Sequence, residues 1–334
     1  MKPLFLSLLL VLAGSYYSLA QQAPKPVPII FDTDIGPDYD DVGAIALLHA
    51  LADSGEARIL ATIASNKYAR VGAVLSVFNT WFKRPGLPIG VPKRKALDLP
   101  SWQKWDSVVT ANYPHVISSN TEVPDAVALY RKLLAAEPDN SVTIVTVGFF
   151  TNLANLLQSA PDKYSPLSGR ELVKKKVKQL VSMAGHFPAG KEFNVDRDIP
   201  SSKTVVTQWP GTIIFSGFEI GVEVLTGLPL IGNEAIRNSP VKDVFALSIP
   251  MSKQDKNGRM SWDETAVLVA IRGWEPYYTL RSGRFVINND GSNSWDDAGT
   301  GHFYLVKKMP VAEVTALINQ LIMHQPVQGK SRAK

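Results

Sequence analysis

Cysteine is absent from this chain of 334 residues. Without it there is no disulfide framework, no thiol nucleophile, no iron–sulfur cluster and no thiolate zinc site, so any metal must be held by oxygen or imidazole. Histidine is scarce too: five residues spread along the sequence cannot form a dense imidazole cluster. Charge is sparse and nearly balanced, with 19% charged residues and a formal net charge of +5. So mild and scattered an excess gives no electrostatic footprint for nucleic acid. The short run Lys174, Lys175, Lys176 and Lys178 reads as a solvated face before a strand. Apolar runs long enough to span a bilayer are missing as well. The opening MKPLFLSLLLVLAGSYYSLA has one Lys, a short apolar stretch and small residues at Ser18 and Ala20. It reads as a signal peptide over 1–20, because QQAPKPVP follows at once and cannot continue a helix. The expected mature protein is therefore periplasmic or secreted and free of the membrane once the leader is removed.

What is present, 45% hydrophobic residues in a patterned order, is the composition of a folded protein. Strand-length apolar runs alternate with helical patterns. PIIFDTD, ARILATIAS, VTIVTVG, VKQLVSMAG and GTIIFSG read as strands; VGAIALLHALADSG (closed by Gly55), residues 70–82, TNLANLLQSA and SKTVVTQW read as helices. That alternation predicts an α/β fold with an open, mainly parallel sheet and helices on both faces. From about residue 284 the texture changes to GRFVINNDGSNSWDDAGTGHFYLV, a β-hairpin, and VAEVTALINQLIMH forms a last helix. No repeat, linker or domain boundary stands out, so one domain is expected over 21–327, with a disordered basic tail over 328–334.

In such sheets ligands bind where strands end and helices begin. At the first such junction, DTDIGPDYDD places Asp32, Asp34, Asp38, Asp40 and Asp41 within ten residues. Carboxylates so crowded repel one another, and a helix N-terminus relieves only part of that repulsion. A divalent cation relieves most of it, and oxygen donors in a flexible loop suit Ca²⁺. Other strand ends add polar groups: Asn66 after ATIAS, Gly148 and Asn152 after VTIVTV, and Glu192 and Asn194 in GHFPAGKEFNVDRD. Trp262 and Asp263 open a later helix in SWDETAVLVAI. Several such residues at successive strand ends point to a polar pocket.

FDTDIGPDYDD resembles the amino-terminal signature of the inosine-uridine preferring nucleoside hydrolases, which cleave N-ribosidic bonds. The resemblance continues in order through Asn66, TVGFFTNLANLL, MAGHFPAGKEFNVDRD and WDETAVL, and so covers most of the chain. It implies a single α/β domain with a calcium ion at the bottom of the pocket. It also implies Asp34, Asp41 and Asp263 as carboxylate ligands, the Val147 carbonyl as a main-chain ligand, and Asp40 as the base that deprotonates water. Asn66, Glu192 and Asn194 match ribose-binding positions, and the substrate would be a small nucleoside or riboside. Relatives are commonly oligomeric, so a homo-oligomer is expected, although no exposed apolar stripe marks its interface.

The chain departs from the family pattern in three places. Its opening loop is longer than DPGxDD, which leaves Asp38 beside Asp40 as the base; Asp40, directly before Asp41 and the helix, is preferred. Trp262 stands where many members carry His, and an indole is no general acid; it could stack on a nucleobase or pack in the core. After GTIIFSG the string GFEIGVEVLTG differs, so base-side contacts do not carry over; Glu219 and Glu223 there are unassigned. His186, with Phe187, lies in the right loop to approach the leaving group and is a candidate acid, although a lone His near Gly and Pro is ordinarily structural. The alternative function is a calcium-dependent sugar- or nucleoside-binding protein without turnover. A phosphatase of the haloacid dehalogenase type, suggested by FDTD alone, leaves EFN and WDETAVL unexplained.

Overall fold

The computed structural model describes residues 25–326. The signal peptide expected over 1–20 and the basic tail over 328–334 lie outside these residues. Twelve strands are described: β1 (Val27–Thr33), β2 (Ala57–Ala64), β3 (Ile89–Gly90), β4 (Val142–Thr146), β5 (Val177–Met183), β6 (Ala189–Lys191), β7 (Ile213–Ser216), β8 (Leu225–Thr226), β9 (Arg259–Met260), β10 (Tyr278–Ile287), β11 (Ser292–Asp296) and β12 (His302–Lys307). Ten form one sheet in the order β3-β2-β1-β4-β5-β7-β12-β10-β11-β6, and β8 pairs with β9 in a separate ribbon. Pairing is parallel from β3 through β12, then antiparallel across β10, β11 and β6. No helix among the described residues is long and apolar enough to cross a membrane.

The period of two along each strand explains why the sheet is covered on both sides. Ile29, Phe31, Val145 and Val181 face the core built with the helices Asp40–Asp53 and Trp262–Arg272. Ile30, Ile144 and Leu180 face the opposite core, with Leu129 and Tyr130 of Ala126–Ala136 and Leu153 of Thr151–Leu157. The helix Asp40–Asp53 is buried from Asp40 to Leu51, because Trp262–Arg272 and Val311–Ile322 both pack on it in addition to the strands.

The expected βα alternation is present, with boundaries shifted by a few residues. The first helix begins at Asp40, so two carboxylates lie in its first turn, where the free N–H groups and the helix dipole favour negative charge. The expected carboxy-terminal hairpin is also present, as β10 and β11. It is no appendage: β12 pairs parallel with β7, which makes these strands a continuation of the main sheet. Three residues of the GHFPAGKEFN loop become β6, because β11 offers an edge with Ser292 opposite Lys191.

Candidate active site

At the carboxyl ends of β1, β4 and β5 opens a pocket of about 130 Å³, lined by Asp34, Asp38, Asp40, Val147, Glu192, Asn194, Trp262 and Asp263, with Phe193 and Phe218. Asp34 arrives from the turn after β1 and Asp40 from the start of the following helix. Asp263 comes from the first turn of Trp262–Arg272, more than two hundred residues away in sequence. Asp41 lies just below the pocket and is fully buried. Its Oδ1 accepts a hydrogen bond from the Thr33 hydroxyl, whereas its Oδ2 has no hydrogen-bond partner among the described residues. Gly148 makes room for this turn. A Cβ there would stand 2.3 Å from the Asp34 nitrogen and 2.7 Å from the Ser65 hydroxyl.

The segment after β5 supplies the facing wall. Glu192 caps the short helix Phe193–Arg197, accepting from the Asn194 nitrogen at 2.6 Å and the Val195 nitrogen at 3.2 Å, and it also accepts from the Gly185 nitrogen at 3.0 Å. Burial still pushes its carboxyl up to about 7, with those three donors pulling the other way. The Asn194 amide donates to the Val147 carbonyl at 3.0 Å and to the Met183 carbonyl at 3.2 Å. Beneath the floor, Asp32 accepts from the Tyr130 hydroxyl at 2.8 Å and the Asn152 amide at 3.0 Å. Its carboxyl is pushed up to about 7 by burial. Asn152 thus belongs to the support of the loop rather than to the pocket.

Two expected substrate contacts lie elsewhere. Asn66 does not line the pocket, because its amide is consumed in fastening the aspartate loop. It donates to the Leu99 carbonyl at 2.7 Å and the Asp34 carbonyl at 3.3 Å, and accepts from Leu99 and Tyr68. His186 does not line the pocket either. Its backbone is gripped at both ends by the Asn293 side chain, each bond 2.9 Å long, and its ring lies against Phe218 at 5.0 Å. Trp262 both lines the pocket and is tied into the wall, its indole N–H donating to the Phe218 carbonyl at 2.8 Å. Glu219, outside the pocket, accepts from the Phe187 nitrogen at 2.9 Å and is pushed up to about 7 by burial. Glu223 is an exposed partner of Lys307.

Arg259, in the ribbon strand β9, is a site residue that the sequence did not reveal. Its Nε and Nη2 donate to Asp40 Oδ1 at 3.1 and 2.5 Å, and Nη2 also donates to Asp38 Oδ2 at 2.8 Å. Glu264, behind the pocket, also escaped the sequence: it is fully buried beside Gly43, with no hydrogen bond to either carboxyl oxygen among the described residues. Burial first, and the nearby Asp40 charge second, hold it well above the usual carboxylate range.

The donor chemistry suits a hard divalent cation. Burial, reinforced by mutual repulsion within the aspartate group, pushes the Asp34, Asp41 and Asp263 carboxyls well above their usual range. An overcharged all-oxygen set with one orphaned oxygen is what such an ion relieves. The fit is one of chemistry: among the described residues no group of three or more His, Cys, Asp or Glu side chains is arranged to hold a metal ion as it stands.

The family model described as inosine-uridine preferring nucleoside hydrolase matches residues 29–294. The chain belongs to that family. A plant nucleoside hydrolase, PpNRh1, shares the fold with a TM-score of 0.67 at 20% identity, over 89% of this chain and 99% of its own. The inosine-uridine preferring nucleoside hydrolase from Bacillus anthracis does so with a TM-score of 0.66 at 14% identity, over 89% and 99%. XopQ, a type III effector protein solved with adenosine diphosphate ribose, gives 0.66 at 13% identity, over 90% and 94%. Among curated proteins no sequence match is found. The pocket combines ionisable carboxylates, a helix-capping Glu and an Asn side chain at the carboxyl edge of a parallel sheet, where ligands of such sheets bind.

Proposed function

We propose that the protein is a calcium-dependent hydrolase that cleaves the N-glycosidic bond of ribonucleosides to free base and ribose. The observation that carries this reading is the convergence of Asp34, Asp40 and Asp263 with the Val147 backbone, Glu192 and Asn194 on one pocket in a chain of this family. Asp34, Asp41, Asp263 and the Val147 carbonyl would hold the ion. When bound, calcium supplies the positive charge that makes water a better acid and fixes sugar hydroxyls. Asp40 takes the proton from the attacking water. Its Oδ1 is occupied by Arg259, while Oδ2 has only a long 3.4 Å contact from the Asp263 nitrogen. Asp38 is half exposed and bound on the outer side of the same guanidinium, so it is the lesser candidate for base. Negative charge around the pocket stabilises the oxocarbenium character that develops on the ribosyl group. Glu192 and Asn194, which line the pocket, would contact the sugar.

Among the described residues no imidazole lines the pocket, so the leaving base departs without help from a histidine acid. Rates then follow the stability of the departing base, and a riboside of nicotinamide, which leaves as a neutral pyridine, is cleaved faster than uridine. Reducing-sugar release from purine, pyrimidine and nicotinamide ribosides, with calcium or chelator present, tests the reading. Calcium-dependent release ordered by leaving group supports it; release from none of them defeats it. The second reading, a sugar- or nucleoside-binding protein without turnover, draws on the Arg259 fork over the expected base, and predicts retained ribose binding in the same samples without release. The apolar leader supports export to the periplasm or beyond, which amino-terminal sequencing of protein from fractionated cells checks.

A further inference from the structure

Five aspartates crowd one turn, and nothing in their spacing says which belong to a metal and which to chemistry. Arg259 does. It reaches the turn from the β8–β9 ribbon, where Thr226 pairs with it and bonds the Ser261 hydroxyl at 2.7 Å. Its guanidinium lies over Tyr39 at 4.9 Å and Trp262 at 5.2 Å. Tyr39 is itself pinned to Asp255 at 2.8 Å, and Asp255 stands 3.9 Å from Nη1. Packed between two rings and buried, with side-chain exposure of 5%, this fork has one orientation, and its edge meets Asp38 and Asp40 together.

We infer that Arg259 is a positioning residue and internal counter-cation: it takes Asp38 and Asp40 out of the metal shell and presents a single oxygen, Asp40 Oδ2, to the pocket. Two N–H groups on Asp40 Oδ1 fix the plane of that carboxylate, as a planar fork does and an ammonium does not. Asp34, Asp41 and Asp263 receive no bond from the guanidinium and are left to the cation. The consequences for metal binding and turnover rest on the calcium-hydrolase reading; the pairing of Arg259 with Asp40 does not.

The test has two arms. In chelator, unfolding is measured for the wild type, Arg259→Met, Asp40→Asn and the double variant. A counter-cation predicts that Arg259→Met lowers the midpoint and that adding Asp40→Asn restores most of the loss, because the stranded carboxylate is removed. If Arg259→Met alone does not fold, recovery of folded protein in the double variant is the same result. Additive losses, or a double variant no better than Arg259→Met, overturn the inference.

In the second arm calcium is titrated calorimetrically into the wild type, Arg259→Met and Arg259→Lys. Removing a like charge from a shielded site is expected to tighten calcium binding by about tenfold in Arg259→Met. Arg259→Lys is expected to keep wild-type calcium affinity and KM while kcat falls, since charge remains and the fork is lost. Unchanged or weaker calcium binding in Arg259→Met overturns the inference. Calcium binding by no variant refutes the calcium reading instead, and the chelator cycle then decides the inference by itself.

Discussion

Asp40 shows how far a single residue is specified by its neighbours. Burial raises its carboxyl to about 6, with the Arg259 charge pulling down, so it is an acceptor poised near neutral pH rather than a permanently silent anion. Replacing it with Asn keeps the shape and removes the proton acceptor. Asp40→Asn is expected to lower kcat by about 10²–10⁴-fold with calcium affinity largely kept, read from initial rates beside a calcium titration; equal loss of both would place Asp40 in the metal shell. The density of aspartates was legible in the sequence because five carboxylates in ten residues need an explanation wherever they fold. Arg259 was not, since its pairing with Asp40 spans 219 positions and its own surroundings, NGRMSW, resemble an ordinary turn. Away from the site, His49 is buried against Asn79 at 3.2 Å and stacked on Phe82, and burial lowers it from 6.5 to about 3. The unfolded chain therefore takes up this proton first as pH falls. The stability that His49 contributes is complete above about pH 6.5 and is lost below it, at about 1.4 kcal/mol per pH unit. Chemical unfolding of the wild type and His49→Gln at a series of pH values checks this: the gap between them narrows from pH 7 to pH 5.

Among the elements, those with strong periodicity were readable and those held by a partner's edge were not. β1, β2, β4 and β5 are apolar and β-branched, and β1, β2 and β4 each lead into a helix. β6 has the sequence Ala-Gly-Lys, which carries no strand signal. It exists because β11 pairs with it and because Asn293 of β11 holds the His186 backbone in place. The helix Ala126–Ala136 does carry a helical repeat, with Ala126, Leu129, Tyr130 and Leu134 buried on one face, whereas the 310 turn Asn120–Glu122 and the four- and five-residue helices after β7 are too short to show one and take their shape from the layers they cover. This linkage predicts that Asn293→Ala costs about 2 kcal/mol, seen in urea unfolding, and raises KM through Glu192 and Asn194 more than it lowers kcat. At the other side of the pocket, Gly148→Ala forces the turn after β4 away from Asp34. It is expected to cost about 1–3 kcal/mol and to weaken calcium binding, measured by melting with and without the ion. A Gly148→Ala protein with wild-type melting and affinity would show that the close approach is not required.

For the molecule as a whole, the alternation of strand and helix led directly to a covered parallel sheet, and the strand ends led to the pocket. Less was readable in how the late strands complete the same sheet, because β12 joins β7 in parallel after a long excursion, a choice made by the available edge rather than by local sequence. Asn66 and His186 illustrate the limit at the site: polar residues at a strand end are placed in the right quarter of the molecule by topology, but whether a side chain faces substrate or clamps backbone depends on neighbours such as Leu99 and Asn293. In the proposed function the residue and molecular scales meet: one pocket would bind calcium through Asp34, Asp41 and Asp263 and hydrolyse a riboside beside it. The most direct measurement strips the purified protein with chelator, returns calcium in steps, and follows bound ion and ribose release from inosine in the same samples. Release is expected to be lost on stripping and to return in proportion to calcium bound. Full release in the presence of excess chelator would contradict the proposal.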